Sequence, residues 1–346
     1  MKKQFLLCLL IGCFSLTSCF PTGNIEETDF QKTIQNNDIN NSDNEDIVYN
    51  LIIPDEYIKT YSVTNVKLHQ FDSDIAEELF PGCTTNTTDI LDRPEQHNYL
   101  LFQKVDSWVC FQDGIVKSFK TNNINQTLLD KLFSMPKPYA MIRDEFPEKE
   151  LESFSVPDCV NQMERLISVL DLNVGSKKVF SVSSKDSKNI KEKYFPDIDI
   201  DIANEDCCII HYNLIIDGLP IADYSYDMVH ETQEWNPLNS SVRALFTKDG
   251  LISFSCTGVP DVINGAESQE VCTPEYAVSQ MKKYIESTTL KGTLYGCEQR
   301  ALVYWKEGKY TGEYFVRPVW AFGWSEKGRD DCPVPYYVDA LNGHVM

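Results

Sequence analysis

The stretch TPEYAVSQMKKYIES, residues 273–287, carries the clearest secondary-structure signal in the chain. Thr273 is a favourable helix N-cap, and Pro274 brings the fixed φ that suits the first helical position. Apolar side chains then recur at helical spacing, at Ala277, Met281, Tyr284 and Ile285. This pattern predicts an amphipathic helix that buries one face.

The segments that follow this helix have the composition of antiparallel strands. They are rich in aromatic and β-branched residues and end in a turn at Gly343; they cover residues 301–305, 314–324 and 335–340. The same order of elements occurs upstream, where a helix over residues 157–170 precedes strands at residues 208–216, 219–226, 242–247 and 251–256. We therefore expect an α+β fold of tandem units, in which each antiparallel sheet is covered by a helix.

A third region precedes these two units. It contains runs typical of strands, a hairpin turn at Asp113-Gly114, and a short helix that begins at Asp72 or Ser73. The Pro-rich segment up to Pro147 ends it. The predicted domains are an N-terminal β-rich region, a first unit and a second unit, at residues 48–147, 148–264 and 265–346.

Composition excludes several classes of protein. The chain has 346 residues, 42% of them hydrophobic and 24% charged, which is enough apolar material for a packed core and unlike a disordered or polytopic membrane protein. The formal net charge is -21. Binding to DNA or RNA relies on clustered Lys and Arg, so we expect no nucleic-acid partner.

The N-terminus has the pattern of a bacterial lipoprotein signal. Lys2 and Lys3 precede an apolar run at residues 5–16, and the segment Leu16-Thr17-Ser18-Cys19 resembles a lipobox. As a helix the run spans about 18 Å, which is too short for a bilayer core of about 30 Å. The motif implies that residues 1–18 are a signal peptide and that Cys19 carries the lipid, which places the protein on the extracytoplasmic face of the cell membrane.

Two alternatives to the lipobox remain open, an ordinary secretory peptide cut elsewhere and an uncleaved anchor. In either case the next segment, residues 19–47, is rich in Asn, Asp, Glu and Thr and has few large apolar residues. Such a composition buries too little surface to offset the entropy of ordering. We expect this segment to be a tether between the lipidated Cys19 and the folded part.

The C-terminal half resembles PepSY and PepSY-like domains. The resemblance rests on Arg317-Pro318-Val319-Trp320 followed by Tyr336-Tyr337-Val338-Asp339-Ala340-Leu341-Asn342-Gly343-His344-Val345. The segments 215–221 and 248–254 resemble extracytoplasmic regulators of cell-wall histidine kinases. With the lipobox, the mature chain is similar to an uncharacterised family of lipoproteins from Gram-positive, Firmicute-type bacteria. The resemblance implies a fold and a location; such domains are associated with restraint of proteases or modulation of sensor kinases.

Nine cysteines follow Cys19, and their redox state stays open. Pairing of Cys297 with Cys332 would close a loop within the second unit, and pairing of Cys256 with Cys272 would close one across the boundary of the two units, whereas all nine can also remain reduced. The chain has no Cys-x-x-Cys motif, so it lacks the ligand spacing of a zinc ribbon. The adjacent pair Cys207-Cys208 would point to opposite faces of a strand.

Motifs for catalysis or cofactors are weak. The acids in Asp197-Ile198-Asp199-Ile200-Asp201 match the start of a calcium loop, but Ile202 and Cys208 stand where that loop needs Gly and Glu, and alternation also suits an edge strand. His230-Glu231 does not continue into a zinc-protease motif, and His211 lies in an apolar run that favours a core position. We predict no catalytic residues, no metal site and no cofactor.

One loop is the best candidate for recognition. Residues 324–331 lie between two predicted strands and combine an aromatic side chain with charges of both signs, at Trp324, Glu326, Lys327, Arg329 and Asp330. Binding residues concentrate on loops that a scaffold holds in place. We therefore expect these five residues to form an exposed recognition element.

Together these features predict a cell-envelope lipoprotein that acts as a binding or regulatory protein rather than as an enzyme. Its expected partners are the membrane, through the lipid, and a membrane protein such as a sensor kinase or a protease. One alternative is a wall-polymer hydrolase, which requires two carboxylates about 5 to 9.5 Å apart. Another is a solute-binding lipoprotein, which requires a large pocket.

Overall fold

The structure, a computed structural model, is built mainly from strands. It describes residues 46–72, 75–76, 84–85, 100–104, 106–120, 146–194, 205–222, 235–237, 240–306, 313–327 and 334–346. Within these residues 53% are in strands and 18% in helices. The predicted α+β class of tandem helix-covered sheets is therefore wrong, and the chain has a mostly β fold with large antiparallel sheets.

Sixteen strands and three helices occur in the described part of the chain. The strands are β1 (Ile47–Asn50), β2 (Thr60–Leu68), β3 (Thr84–Thr85), β4 (Leu100–Lys104), β5 (Ser107–Gln112), β6 (Ile115–Lys120), β7 (Val174–Val182), β8 (Cys207–Ile216), β9 (Leu219–Pro220), β10 (Trp235–Pro237), β11 (Ser241–Thr247), β12 (Gly250–Thr257), β13 (Pro260–Glu270), β14 (Gly292–Lys306), β15 (Glu313–Glu326) and β16 (Val334–Asp339). The helices are α1 (Val156–Val169), α2 (Ser184–Tyr194) and α3 (Pro274–Ser287).

The strands form two sheets. The seven-stranded sheet has the order β1-β14-β15-β2-β13, with β10 also beside β14 and β16 also beside β15. The nine-stranded sheet has the order β3-β4-β5-β6-β12-β11-β8-β7, with β9 beside β8. All strand pairs are antiparallel except β1 with β14, where Ile47 lies opposite Gly292.

The tandem arrangement fails because strands distant in sequence pair with each other. β6 lies beside β12, with Val116 opposite Cys256, and β2 lies between β15 and β13. Strands from all three predicted regions thus share the two sheets. Alternation of apolar and polar residues identifies a strand and its buried face, but it does not identify the neighbouring strand.

Two helices predicted from capping and periodicity are confirmed. α1 begins after Ser155, whose hydroxyl accepts a hydrogen bond from Asp158 N at 3.3 Å, and α3 begins after Thr273, whose hydroxyl accepts one from Tyr276 N at 3.3 Å. α1 packs against β8 and α3 against β16. Met163 and Met281 are fully buried, whereas Tyr284, predicted on the apolar face of α3, is 39% exposed. Most of the short helix predicted to begin at Asp72 or Ser73 lies outside the described residues.

The hairpin turn predicted at Asp113-Gly114 is also confirmed, and two further Asp-Gly pairs lie at turns. β8 and β9 are joined by Asp217 and Gly218, both with positive φ, 48° and 78°. Positive φ at both central residues gives a turn whose twist matches that of the flanking strands. The turn at Asp113-Gly114 joins β5 to β6, and the turn at Asp249-Gly250 joins β11 to β12.

Two carboxylates hold the start of α2 against the nine-stranded sheet. Asp186 Oδ2 accepts hydrogen bonds from Ser183 N at 3.1 Å and from Lys149 Nζ at 2.9 Å. Asp206 accepts from Ser184 N at 2.8 Å and from Ser153 Oγ at 3.0 Å. Burial alone would raise the pKa of both carboxyls, but these hydrogen bonds outweigh it, so both pKa values lie below the ordinary value.

This arrangement predicts loss of stability in acid. A carboxyl whose pKa is lowered by folding contributes stability above its unfolded pKa, and that contribution is lost as the pH falls through the lower folded pKa. We expect the midpoint temperature of thermal unfolding to decrease as the pH is lowered from about 4 to about 2. Asp206→Asn should lower the free energy of unfolding at pH 7 by about 1–2 kcal/mol and weaken the pH dependence. The matched variant Glu150→Gln, at an exposed position, should change neither quantity; an equal response of both variants would contradict the assignment.

Candidate functional site

Among the residues that resemble a PepSY-like motif, Trp320 connects β15 to the start of α3. Trp320 is fully buried, and its Nε1 donates a hydrogen bond to Cys272 O at 3.0 Å. Its indole also meets the Tyr57 ring edge-on, with ring centroids 5.5 Å apart. The motif therefore ties β15 to the residue just before the N-cap of α3.

Asp339 organises the turn after β16. Its carboxylate accepts hydrogen bonds from Leu341 N at 2.8 Å, from Asn342 Nδ2 at 3.1 Å, and from Arg317 Nη1. Gly343 N in turn donates to Asp339 O at 2.7 Å. The Asp339 side chain is only 5% exposed and holds the turn. This structural role accounts for the Asp in the motif.

The structure describes the first four residues of the predicted recognition loop, residues 324–327, which we call the base of the loop. Trp324 lies in β15, is 3% exposed and packs in the core, with no hydrogen-bond partner for its Nε1 within the described residues. Glu326 and Lys327 are exposed. Arg329 and Asp330 lie outside the described residues. The structure therefore places two of the five predicted residues at the surface.

Lys327 contacts the first described residue of the chain. Its Nζ lies 3.0 Å from Asp46 Oδ1, while Lys291 pairs with the other carboxylate oxygen. Backbone hydrogen bonds continue the contact, from Gly292 N to Asp46 O at 2.9 Å and from Lys327 N to Lys291 O at 2.8 Å. Hydrogen bonds from Lys291 and Lys327 lower the pKa of Asp46, which keeps it ionised at neutral pH. We call Asp46, Lys291 and Lys327 the basal triad.

An exposed apolar side chain lies near the basal triad. Val48, on β1, is 56% exposed and lies opposite Thr293, two residues after Lys291. Thr293 in turn lies opposite Ser325, beside the base of the loop. This end of the seven-stranded sheet thus combines two lysines with an exposed apolar side chain.

A second feature is a small cleft where the two sheets meet. His69, just after β2, and Asp261, on β13, form its polar side, with His69 Nδ1 2.7 Å from Asp261 Oδ1. Asp171 and Asn173, between α1 and β7, lie opposite, and the cleft has a volume of about 120 Å³. Sequence reasoning missed this pair because its members are 192 residues apart and neither lies in a motif.

The cleft can hold a small polar group. A histidine paired with a carboxylate is a proton acceptor in many enzymes, but it acts on a nearby nucleophile or substrate proton. The lining residues are His69, Asp171, Asn173, Leu214, Ile215, Val259, Pro260 and Asp261, a set without hydroxyl, thiol or amine side chains. The space is much smaller than the pockets of about 300 Å³ and above that take drug-sized ligands.

The described cysteines are thiols. They are not joined in disulfides; the set is Cys110, Cys159, Cys207, Cys208, Cys256, Cys272 and Cys297. The predicted alternative of a Cys256–Cys272 bridge is thus not formed, and Cys332, the predicted partner of Cys297, lies outside the described residues. Burial raises the pKa of the Cys272 thiol to about 11. A buried thiol of this kind packs as a small apolar side chain.

Other predicted positions are located as follows. His211 lies on β8 and is 1% exposed, which confirms the prediction of a core position. Cys19, the Asp197–Asp201 run and His230 lie outside the described residues. Within the part of the chain that the structure describes, no group of three or more His, Cys, Asp or Glu side chains is placed to hold a metal ion. Among the same residues, none of the helices has the length and apolar character to cross a membrane.

Comparison with known proteins gives a structural neighbour only. Neither protein families nor curated proteins provide a match to this sequence. The structure is similar to the crystal structure, at 1.45 Å resolution, of an uncharacterized protein from Eubacterium rectale ATCC 33656, with a TM-score of 0.61 and 11% identity. The similarity covers 90% of this chain and 96% of the other. At this identity it shows a shared fold.

Proposed function

We propose that the protein is a lipid-anchored envelope protein whose folded part is a non-catalytic binding or regulatory module for a membrane protein. The basal triad carries this proposal. Asp46 lies near the end of the predicted tether, and its ion pair with Lys327 joins it to the base of the predicted loop.

The length of the tether supports a partner close to the membrane. A flexible segment from Cys19 to Asp46 has a root-mean-square span of about 30 Å. The surface around the basal triad would then face the membrane at this distance, within reach of the extracytoplasmic part of a sensor kinase or protease. Val48 supplies apolar area there, and Lys291 and Lys327 supply positive charge on an otherwise acidic protein.

Lipid attachment at Cys19 is the first testable part. Two acyl chains give stable anchoring, whereas a protein without them is held only by weak contacts. We expect Cys19→Ala to abolish incorporation of an alkyne-tagged fatty acid and to move the protein from the membrane fraction to the medium. The matched variant Cys13→Ala, inside the predicted signal peptide, should keep the label. Labelling that persists in Cys19→Ala would refute the anchor.

The partner is the second testable part. In-cell crosslinking followed by mass spectrometry should capture a membrane kinase or protease with the anchored protein and not with Cys19→Ala. Lys327→Glu should reduce this capture at least severalfold. Lys248→Glu is the matched control, because Lys248 is an exposed, ion-paired lysine on the other sheet. Equal capture by both lysine variants would remove the loop base from the interface, and capture of no membrane protein would overturn the proposed function.

A further inference from the structure

Two cysteines that no sequence pattern connects are brought together beneath α1. Cys159 lies on the buried face of α1, and Cys208 lies near the start of β8, the strand on which α1 packs. They are 7% and 0% exposed and belong to the same apolar core. Each thiol perturbs the pKa of the other, as expected for side chains packed next to each other between α1 and β8.

The two thiols are chemically unequal. Cys159 also donates a hydrogen bond to Ser155 O, with sulfur and oxygen 3.4 Å apart. The contact with Cys208 lowers the pKa of Cys159, while the same contact and burial raise the pKa of Cys208. The lower pKa makes Cys159 the better attacking sulfur in thiol–disulfide exchange.

We propose that Cys159 and Cys208 are a latent disulfide that closes in an oxidising environment. The oxidant is a low-molecular-weight disulfide. The Cys159 thiolate attacks it, releasing one small thiol and forming a mixed disulfide. The Cys208 sulfur then displaces the second small thiol, so that the two cysteines lose two electrons and two protons and the small disulfide gains them.

The neighbouring cysteine does not compete for this bond. Cys207 precedes Cys208 on β8, and consecutive side chains of a strand point to opposite faces, so Cys207 lies on the side away from Cys159. Closure would link the first half of α1 to β8, the neighbour of the terminal strand β7 in the nine-stranded sheet, and enclose β7 and α2. A bond that closes a loop of this size restricts the unfolded chain and so stabilises the fold. This property is separate from the proposed partner binding.

Peptide mapping tests the proposal on the wild-type chain. The protein is incubated with oxidised glutathione, either folded or during refolding from urea, then alkylated and digested without reductant. We expect a linked peptide pair containing Cys159 and Cys208, and a thermal midpoint higher by roughly 5 °C than in the reduced protein. Cys207→Ala should keep the link, and Cys159→Ala should lose it.

During refolding both cysteines meet glutathione before they are buried. A negative result in this sample is therefore not explained by lack of access to the thiols. Alkylated Cys159 and Cys208 in both samples would therefore overturn the proposal. A glutathione adduct that stays on Cys159, or a link from Cys159 to Cys207, would overturn it equally, and neither outcome depends on whether a variant folds.

Discussion

Trp320→Ala is expected to lower the free energy of unfolding by about 3–5 kcal/mol, the range typical of aromatic truncation in a core. Trp320 is fully buried, so the variant leaves a cavity, and it also loses the edge contact with Tyr57. The Cys272 carbonyl then has no indole donor. Urea denaturation followed by circular dichroism measures the change, and a loss under 1 kcal/mol would contradict the central position of this residue.

Comparison with Trp324 isolates the hydrogen bond. Both indoles are buried, but Trp324 Nε1 has no partner among the described residues, whereas Trp320 Nε1 donates to Cys272 O. Trp320→Phe should therefore cost about 1–2 kcal/mol more than Trp324→Phe, because only the first leaves a carbonyl unpaired. Equal costs would mean that the hydrogen bond contributes nothing measurable.

Gly292→Ala is the second substitution with a large expected effect. A Cβ at Gly292 would lie 2.0 Å from Ser325 O, a backbone atom that moves only if β15 moves away from β14. We expect a loss of about 3 kcal/mol in the free energy of unfolding, at the upper end of overpacking effects. Because Gly292 N also donates to Asp46 O, the basal triad should be disturbed as well.

A glycine in the same sheet provides the control. Gly265 lies on β13, and a Cβ there would be 3.7 Å from its nearest neighbour, Ser62 O, which is an ordinary contact. Gly265→Ala should therefore change the free energy of unfolding by less than about 0.5 kcal/mol. If Gly265→Ala lowered the free energy of unfolding as much as Gly292→Ala, the steric clash with Ser325 O would not be the cause of the loss at position 292.

Local structure was predictable where a few neighbouring residues determine it. Ser155 and Thr273 cap α1 and α3 because a hydroxyl before a helix meets a free backbone N–H two or three residues later. Asp-Gly pairs form tight turns because they tolerate positive φ. Such signals lie within a few residues and do not depend on the rest of the chain.

The sheets were not predictable in the same way. The expected units grouped strands that follow one another, but β1 pairs with β14 and β6 with β12, across more than a hundred residues. Apolar alternation is satisfied by many pairings, so a strand from the N-terminal region fits beside any partner of matching face. This is why we expected separate α+β units, whereas the chain forms two large sheets whose strands come from different predicted regions.

The candidate site shows the same limit. Lys327 was expected at a recognition loop from its local composition, and the structure places it at the surface. Its partner Asp46 was assigned to the predicted tether, and no local signal links residues 281 positions apart. Trp324 was expected at the surface from its place beside a loop, but it occupies an inward position of β15 and is buried.

Zero-length crosslinking tests the central claim, that Asp46, near the end of the predicted tether, contacts the base of the loop. A carbodiimide joins a carboxylate to an amine only where the two are in contact. In the wild-type protein, mass spectrometry should identify Asp46 linked to Lys291 or Lys327, together with the internal standards Asp186–Lys149 and Glu205–Lys248. Detection of both standards with Asp46 unlinked, or linked only to lysines of the nine-stranded sheet, would contradict this account.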